Sequence, residues 1–271
     1  MAPFDGAASV VLRGIELAAP FSSNGRDMAQ NSMQTIVVAT QKGGSGKSTL
    51  TIGLALAAMQ AGHKVRLIDA DPQRTLANWR RRRTAVEPAV EIVDMMQEIG
   101  PRLRFHRDCG VTLTIIDTAG GVSSVRSASI RHADFCLIPV RPTIADIEAT
   151  ATTLSLVRAW KKPFAFVLNQ APIRGQRINN ATDALVDETA FDLADRLARP
   201  FIAARNDHQD AMSVGLAVAE YAPTSKSAEE ISHLWRWVES RLPAAESAHE
   251  LAISPRRDVR LPERAEQPAR H

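Results

Sequence analysis

Cysteine is nearly absent from this sequence. Among 271 residues there are two cysteines, Cys109 and Cys136, and their spacing matches neither a zinc-binding pattern nor a disulfide framework. Both kinds of cross-linked domain are therefore excluded, and a reducing compartment is the simplest expectation. We predict a cytoplasmic protein.

Long apolar runs are also lacking. No stretch approaches the roughly 18 apolar residues that a membrane-spanning helix needs. Residues 8–19 are mildly apolar, but Arg13 and Glu16 interrupt them, and we identify no signal peptide there. The sequence therefore predicts a protein without a membrane partner.

Positive charge exceeds negative charge only slightly. Lysine and arginine number 33 against 30 aspartates and glutamates, which gives a formal net charge of +3 at pH 7. That balance is weak evidence for a polyanionic partner, although clusters of arginine leave room for one. The 45% apolar and 23% charged residues are ordinary for a soluble globular protein of one or two domains.

Strand and helix patterns alternate through the body of the chain. The strand candidates are apolar on both faces, as buried parallel strands are, and the alternation predicts an α/β fold with a doubly wound, mostly parallel sheet flanked by helices. Strands are predicted at 34–40, 64–69, 112–117, 134–140, 163–169 and, as a short one, near 200–203. Helices are predicted at 47–61, 74–84, 94–107, 122–131, 144–160, 176–197, 207–219 and 225–242.

The two ends of the chain lack such periods. Residues 1–32 show no clear pattern and are predicted to form a flexible N-terminal extension. Residues 243–271 are rich in Pro, Ala, Glu and Arg, which predicts a disordered C-terminal tail. The folded domain is accordingly expected to span residues 33–242.

A glycine-rich turn follows the first predicted strand. Gly43, Gly44 and Gly46 have no Cβ, so successive backbone N–H groups can turn inward around an anion. The helix that begins next directs its positive end at the same anion. Lys47 can reach the β- and γ-phosphates of a nucleotide, and the Ser48 hydroxyl is placed to ligate Mg²⁺. A turn that binds nothing is the alternative, which the strand–turn–helix context disfavours.

Two further predicted strands end in aspartate. Asp69 and Asp71 follow the second strand, within Leu-Ile-Asp-Ala-Asp-Pro-Gln, and Asp117 ends the strand at 112–117. An apolar strand that ends in aspartate is the Walker B pattern, which holds Mg²⁺, and residues 118–121 can sense the γ-phosphate. Each aspartate taken alone could simply close a strand. Their order relative to the glycine-rich turn favours a nucleotide site.

Residues 42–48, Lys-Gly-Gly-Ser-Gly-Lys-Ser, resemble the deviant Walker A motif K-G-G-x-G-K-[ST] of the ParA/MinD family of ATPases. The resemblance implies a P-loop NTPase fold of the deviant Walker A type, with ATP and Mg²⁺ as cofactors. In that family the additional lysine, here Lys42, reaches across a dimer interface to the phosphates that the other subunit holds. An ATP-dependent homodimer is therefore implied. More weakly, the resemblance extends over about residues 34–242.

The same resemblance implies roles for individual side chains. Asp71 would position the attacking water, and Asp69 would support the Mg²⁺ shell that Ser48 and Asp117 form. The catalytic residues implied are Lys42, Lys47 and Asp71. The nucleotide-binding residues implied are Lys42, Gly43, Gly44, Ser45, Gly46, Lys47, Ser48, Thr49, Asn169 and Arg205.

Two residues of that set are implied to contact or lie near the nucleotide base. In the family a polar residue at the end of a later strand reads the base, and Asn169 matches its position. Arg205 matches a segment that lies near the base, although the family often has proline where this chain has Ala204. A strand-ending asparagine is also a common turn residue.

The function that the resemblance implies is a nucleotide-dependent switch on DNA. An ATP-bound dimer would bind DNA without sequence preference on the nucleoid and drive plasmid or chromosome partition, and a ParB-like partner would stimulate hydrolysis. The DNA-contact candidates are Arg174, Arg177, Lys226 and Arg236, with Arg205 and Arg241 as further members. The run Arg80 to Arg83 is interpreted first as a solvated helix face.

Several alternatives share the fold. An ATPase that positions a chemotaxis cluster, a carboxysome or a conjugation complex is the main one. A membrane cycle like that of MinD is disfavoured because the tail has no amphipathic basic helix. An electron carrier of this fold would need paired cysteines that bridge a metal cluster between subunits, and a related tyrosine kinase would carry a cluster of tyrosines, whereas this chain has only Tyr221. A scaffold that does not hydrolyse ATP would not need Lys42, Lys47 and the aspartates.

Overall fold

The structure, a computed structural model, describes residues 33–174, 176–189 and 195–243. The predicted N-terminal extension and the predicted tail beyond Pro243 lie outside the described residues. Within the described ranges, no helix is both long enough and apolar enough to cross a membrane.

Six parallel strands form the central sheet, in the order β3-β2-β4-β1-β5-β6. This confirms the predicted doubly wound α/β architecture. After β3 the chain returns to place β4 between β2 and β1, and it then continues on the other side of β1 through β5 and β6. The connections therefore diverge near β1 and leave a crevice at its carboxyl end. The strands are β1 Gln34–Val38, β2 Val65–Ala70, β3 Ala89–Ile92, β4 Leu113–Thr118, β5 Phe135–Val140 and β6 Phe164–Leu168.

Ten helices connect and cover the strands within the described ranges. They are α1 Lys47–Gln60, α2 Thr75–Arg82, α3 Met96–Asp108, α4 Ser124–His132, α5 Ile144–Glu148, α6 Thr150–Ala159, α7 Arg177–Thr189, α8 Asp207–Ser213, α9 Val218–Tyr221 and α10 Lys226–Glu239.

Successive residues of each strand pack into opposite cores, as the pleat requires. Ile36 and Val38 of β1 belong to the core that α1 and α10 cover, whereas Val37 belongs to the core beneath α3, α4 and α6. Helices α1 and α10 approach closely at Gly53, where a Cβ would lie 3.1 Å from the side chain of Ile231. Burial on both faces explains why the strands read as continuous apolar runs.

One strand and several helix boundaries differ from prediction. β3 was not predicted, because Ala89–Ile92 is a short, partly exposed edge strand that contains a charged residue, Glu91. The strand predicted near 200–203 is wrong: this segment forms only an isolated bridge between Ala171 and Ala203. A helix predicted at 176–197 also extends too far, since Leu197 is bridged to Phe166.

Two predicted long helices are each divided in the structure. The helix predicted at 144–160 is α5 and α6, which meet at Ala149. The helix predicted at 207–219 is α8 and α9, separated by Gly215 at φ 75°. A Cβ at Gly215 would lie 2.5 Å from the backbone of Arg82 and Arg83, so the close approach of α2 requires glycine there.

Candidate functional site

A cavity of about 520 Å³ opens at the carboxyl ends of β1, β2 and β4. The loops that follow these three strands meet there, as expected for a doubly wound sheet. The lining residues are Gly43, Gly44, Gly46, Lys47, Ser48, Thr49, Asp71, Pro72, Gln73, Thr75, Ala119, Gly120, Gly121 and Met212. The structure thus brings the glycine-rich turn and the residues after β2 and β4 to one place.

The glycine-rich turn adopts backbone angles that favour glycine. Gly44 has φ 72° and Gly46 has φ 86°, both in the left-handed region. A Cβ at Gly46 would also lie 2.2 Å from the amide nitrogen of Asn169. Helix α1 begins at Lys47, directly after this residue, so its free N–H groups face the cavity.

Lys47 lies beneath this turn and is only 6% exposed. Its ammonium donates to the carbonyl oxygen of Lys42 at 3.2 Å. Burial lowers the pKa of Lys47, while the carboxylates of Asp117 and Asp71 oppose that shift. A buried cation of this kind gains from an anion brought into the cavity.

Asp117 is fully buried at the end of β4 and accepts a hydrogen bond from Ser48 Oγ at 2.5 Å. Desolvation raises the pKa of Asp117 to about 7, although this hydrogen bond and Lys47 act in the opposite direction. Its other oxygen, Oδ1, has no hydrogen-bond partner among the described residues. A hydroxyl and a carboxylate with an available oxygen fit Mg²⁺, which takes few protein ligands and otherwise binds water and phosphate oxygens.

Asp69 and Asp71 are used differently. Both oxygens of the buried Asp69 are occupied by backbone amides, from Asp71 at 3.1 Å and from Ala77 at 2.9 Å. Asp69 therefore fixes the loop after β2 and the first turn of α2. Asp71 lines the cavity and accepts from the Gln73 amide at 2.9 Å. Among the described residues, no three His, Cys, Asp or Glu side chains converge as a metal site.

The segment after β4 rests on the glycine-rich turn. The Gly121 amide donates to the carbonyl oxygen of Gln41 at 2.8 Å, and Thr118 Oγ1 donates to the Val38 carbonyl at 3.0 Å. A Cβ at Gly120 would lie 3.2 Å from the same Gln41 oxygen. A ligand that displaces the turn would therefore also displace this segment.

Asn169 and Gln170 support the turn from behind. Asn169 Nδ2 donates to the Ser45 carbonyl at 2.7 Å, and Gln170 Nε2 donates to the Gly44 carbonyl at 2.9 Å. Asn169 does not line the cavity, and its proposed contact with a base stays a prediction. Arg205 does not line it either, since its guanidinium pairs with Glu230 at 2.7 Å.

The other predicted side chains have mixed environments. Lys42 is exposed at the surface of the turn. The buried hydroxyl of Ser45 has no hydrogen-bond partner among the described residues. Thr49 Oγ1 lies 3.2 Å from Met212 Sδ. Of the DNA-contact candidates, Arg174, Arg177 and Arg236 are exposed, whereas Lys226 pairs with Glu229 at 2.7 Å.

The arginine run on α2 is not simply a solvated face. Arg83 makes two hydrogen bonds of 2.7 Å to Glu220, and Arg82 donates to the Met212 carbonyl at 3.1 Å. These contacts fasten α2 to the α8–α9 segment, which carries Met212 to the cavity.

One buried charge was missed from the sequence. Arg126 of α4 is 1% exposed, and its Nε and Nη1 have no hydrogen-bond partner among the described residues. Burial lowers its pKa. Its place on the inward face, with Val125, Ser129 and Ile130, was the signal that could have identified it.

Residues 36–220 match the family described as the CobQ/CobB/MinD/ParA nucleotide binding domain. A protein named ParA from Rhizobium radiobacter is 32% identical over 125 residues, which are 46% of this chain and 56% of that protein. A carboxysome distribution protein A from Gloeobacter kilaueensis is 33% identical over 124 residues, 45% of this chain and 55% of its own length. The chain thus spans about half the length of these curated relatives.

The fold also matches solved structures. The MinC:MinD cell division complex of Aquifex aeolicus superimposes with a TM-score of 0.64 at 17% identity, over 77% of this chain and 96% of the other. At that identity the match concerns the fold alone. The matched residues include the glycine-rich turn, Asp71 and Asp117. The chain therefore belongs to the CobQ/CobB/MinD/ParA nucleotide-binding family.

Proposed function

We propose that this protein is a Mg²⁺-dependent ATPase whose ATP-bound form is a homodimer that binds DNA without sequence preference. The observation that carries the Mg²⁺-dependent ATPase activity in this proposal is the Ser48–Asp117 pair at 2.5 Å, with Asp117 Oδ1 unpartnered among the described residues, below a glycine-rich turn. The domain responsible would span residues 33–242.

The catalytic roles follow from the positions of the side chains. The backbone amides of residues 43–48 and the Lys47 ammonium would hold the phosphates, and Ser48 and Asp117 would hold Mg²⁺. When bound, Mg²⁺ neutralises phosphate charge as it develops during phosphoryl transfer. Asp71 lines the cavity and would accept a hydrogen bond from the attacking water.

Lys42 supports the dimer proposal. Its side chain is exposed and makes no ion pair within the described part of the chain. Its backbone carbonyl accepts a hydrogen bond from the Lys47 ammonium. A cation at the rim of a phosphate site can neutralise charge in a neighbouring subunit. Because only a triphosphate rewards that contact, ATP would control dimerisation.

A Lys42→Ala variant tests this proposal. It should bind ATP but remain monomeric with ATP, and its turnover should fall by about 10³-fold or more, as when an arginine finger is removed. Light scattering and a phosphate-release assay measure the two effects. Lys64→Ala, at another exposed lysine, is the control and should behave as wild type. Dimerisation of Lys42→Ala equal to that of wild type would sink the dimer proposal.

The biological role that we propose is plasmid or chromosome partition on the nucleoid in the cytoplasm, with a ParB-like partner that stimulates hydrolysis. Co-sedimentation with duplex DNA in the presence of ATP, ADP or no nucleotide tests the switch. Retention should require ATP and should weaken as salt rises. Equal retention in all three states would contradict it.

Positioning of another cargo is the second candidate. The similarity to a carboxysome distribution protein favours it. Deletion of the gene separates the two roles, because a partition protein raises plasmid loss per generation when removed. Stable plasmids together with a scattered cargo would favour the second candidate.

A further inference from the structure

Many basic side chains of this protein are neutralised within the fold. Arg83 pairs with Glu220, Arg205 with Glu230 and Lys226 with Glu229, each at 2.7 Å. Such pairs have little charge left for an external anion. Two of the three belong to segments that the sequence suggested as DNA contacts.

Five other cations differ in this respect, and we call them the basal strip: Lys161, Lys162, Arg199, Arg236 and Arg241. Within the described part of the chain, none of the five lies within 4.0 Å of a carboxylate oxygen. Lys161, Arg199 and Arg236 are exposed, and the other two are half-buried. Their charge is therefore available to a ligand.

The basal strip begins at the amino edge of the sheet and continues alongside β6. It borders two hollows of about 800 and 460 Å³, and the floor of the larger one includes Phe135 and Phe164, the first residues of β5 and β6. The glycine-rich turn follows the carboxyl end of β1, which is parallel to β5. The larger hollow and the nucleotide cavity are thus at opposite edges of the sheet. Arg199 lies further along β6, because its segment is bridged to Phe166 at Leu197 and to Ala171 at Ala203.

Helix α10 connects the two hollows. Ser240 and Arg241 line the larger hollow, while His233 and Arg236 line the smaller one with Arg199. Positions 233, 236 and 240 recur at intervals of three and four residues, so they lie along one face of the helix. The result is an extended row of charge rather than a single anion pocket.

Helix dipoles explain part of this charge. Cations favour the carboxyl ends of helices, and α6 ends at Ala159 beside Lys161 and Lys162. Each helix end, however, carries only about half of one negative charge. Asp195 is the single carboxylate among the described residues that line either hollow. Lys161, Lys162, Arg236 and Arg241 lie near the ends of α6 and α10, and Arg199 lies at neither end, so an excess of positive charge remains.

Aromatic rings alternate with this charge. The Arg241 guanidinium lies 3.6 Å from the centre of the Trp237 ring. The Arg131 guanidinium lies 5.2 Å from the centre of the Trp160 ring, and Trp160 is 42% exposed. Stacking on a ring orients a guanidinium without neutralising it. A row of oriented cations suits a nucleic acid, whose phosphates repeat along its backbone.

We propose that the basal strip is the surface that binds the phosphate backbone of duplex DNA. The inference rests on the proposed DNA binding and assigns it to one surface. Because the larger hollow lies at the edge opposite the nucleotide cavity, and none of the five cations lines that cavity, the strip stays accessible in a dimer formed across the glycine-rich turns. Arg236 is then a DNA contact, whereas Arg174, Arg177 and Lys226 are not.

The experiment compares two variants of equal charge. In the strip variant, Lys161→Gln, Arg199→Gln and Arg236→Gln remove three exposed cations. In the control, Arg174→Gln, Arg177→Gln and Lys226→Gln remove three elsewhere. The affinity of the full chain with ATP for a duplex of mixed sequence is measured across a salt series. The magnitude of the slope of log K against log salt should fall in the strip variant by about 2 to 3 for each strip that contacts the duplex, because each lost phosphate contact removes about 0.9.

The outcomes separate this inference from the proposed switch. A slope unchanged in the strip variant but reduced in the control would overturn the inference and leave the switch intact. A slope reduced in the strip variant, with equal wild-type affinity in ATP and ADP, would support the strip and contradict the switch. Wild-type retention by vesicles of phosphatidylglycerol, with no retention on DNA, would overturn both. ATP binding and urea unfolding of each variant should match wild type.

Discussion

Asn169 acts on the glycine-rich turn rather than on the cavity. Its amide donates to the Ser45 carbonyl at 2.7 Å, and Gly46 has no side chain because this amide occupies the space. A residue that reads a base must reach the nucleotide, whereas this hydrogen bond supports the loop that faces the phosphates. Its effect should be common to all nucleoside triphosphates.

Asn169→Ala is therefore expected to weaken ATP and GTP binding equally. A neutral hydrogen bond contributes about 1 kcal/mol, which corresponds to about a 5-fold loss of affinity. Titration with fluorescent nucleotide analogues measures both affinities. The exposed Asn180→Ala on α7 is the control and should bind as wild type. A changed ratio of ATP to GTP affinity would instead support a base-reading role.

Arg126 is a charge without compensation in the described structure. Its guanidinium is 1% exposed, and two of its nitrogens lack partners among the described residues. Burial of an ion costs several kcal/mol, and replacement of buried ionic groups by apolar residues of similar size is often stabilising. Arg126→Met should raise the free energy of unfolding by about 1–4 kcal/mol.

Urea denaturation followed by circular dichroism measures this change in the nucleotide-free protein. Arg104→Met, at an exposed position on α3, is the control and should alter the free energy of unfolding by less than about 0.5 kcal/mol. A less stable Arg126→Met protein would mean that the guanidinium makes a stabilising contact.

At the scale of elements, the sequence predicted those features whose residues are consecutive in the chain. The glycine-rich turn was predicted because its strand, glycines and helix are consecutive in sequence. β3 was not, because four partly exposed residues at a sheet edge carry too short a pattern. The Asn169–Ser45 contact could not be predicted, since its partners are 124 residues apart and meet only through the order of the strands.

The contact between α2 and the α8–α9 segment depends on Gly215. Trp79 Nε1 donates to the Leu216 carbonyl at 3.1 Å, and Arg83 holds Glu220. Gly215→Ala would place a Cβ 2.5 Å from the α2 backbone, which cannot move aside as a flexible side chain could. We expect the free energy of unfolding to fall by about 3 kcal/mol or more in total. This total is larger than the cost of the left-handed backbone conformation alone.

Gly62→Ala provides the matched control for this prediction. Gly62 also has a positive φ, 96°, but a Cβ there would meet no atom within 4 Å. Its cost should be the left-handed backbone alone, about 1–2 kcal/mol. Urea unfolding of both variants gives the comparison, and equal losses would show that the close approach of α2 contributes nothing.

At the scale of the whole molecule, the parallel sheet separates two kinds of surface. The loops at the carboxyl edge surround the nucleotide cavity, while helix ends and basic side chains gather at the amino edge. Because every strand runs in the same direction, this polarity follows directly from the topology. A substitution on the basal strip should therefore leave the groups that hold the nucleotide in place, and the two surfaces are coupled only through the proposed dimer.

Two histidines make the stability of the whole domain depend on pH. Burial lowers the pKa of His208, assisted by Arg205, while Glu230 and Asp207 oppose the shift. Burial also lowers the pKa of His132, together with Arg131, Lys162 and Arg104. Below the ordinary histidine value of 6.5, the unfolded chain binds protons that the folded chain resists.

The free energy of unfolding should therefore fall as pH drops from 7.5 through 6.5 towards the lowered pKa values. The fall should reach up to about 1.4 kcal/mol per pH unit for the buried His208 and should be smaller for His132, whose exposed side chain is screened by solvent. The carboxyls of the buried Asp69 and the half-buried Asp134, whose pKa values desolvation raises, contribute with the opposite sign. The comparison with a His132→Gln, His208→Gln variant isolates the histidines. Urea unfolding at pH 7.5, 6.5 and 5.5 should give the variant the shallower decline with acid, because the glutamine side chains do not titrate. Parallel curves for the two proteins would mean that both histidines bind protons equally well in the folded and unfolded states.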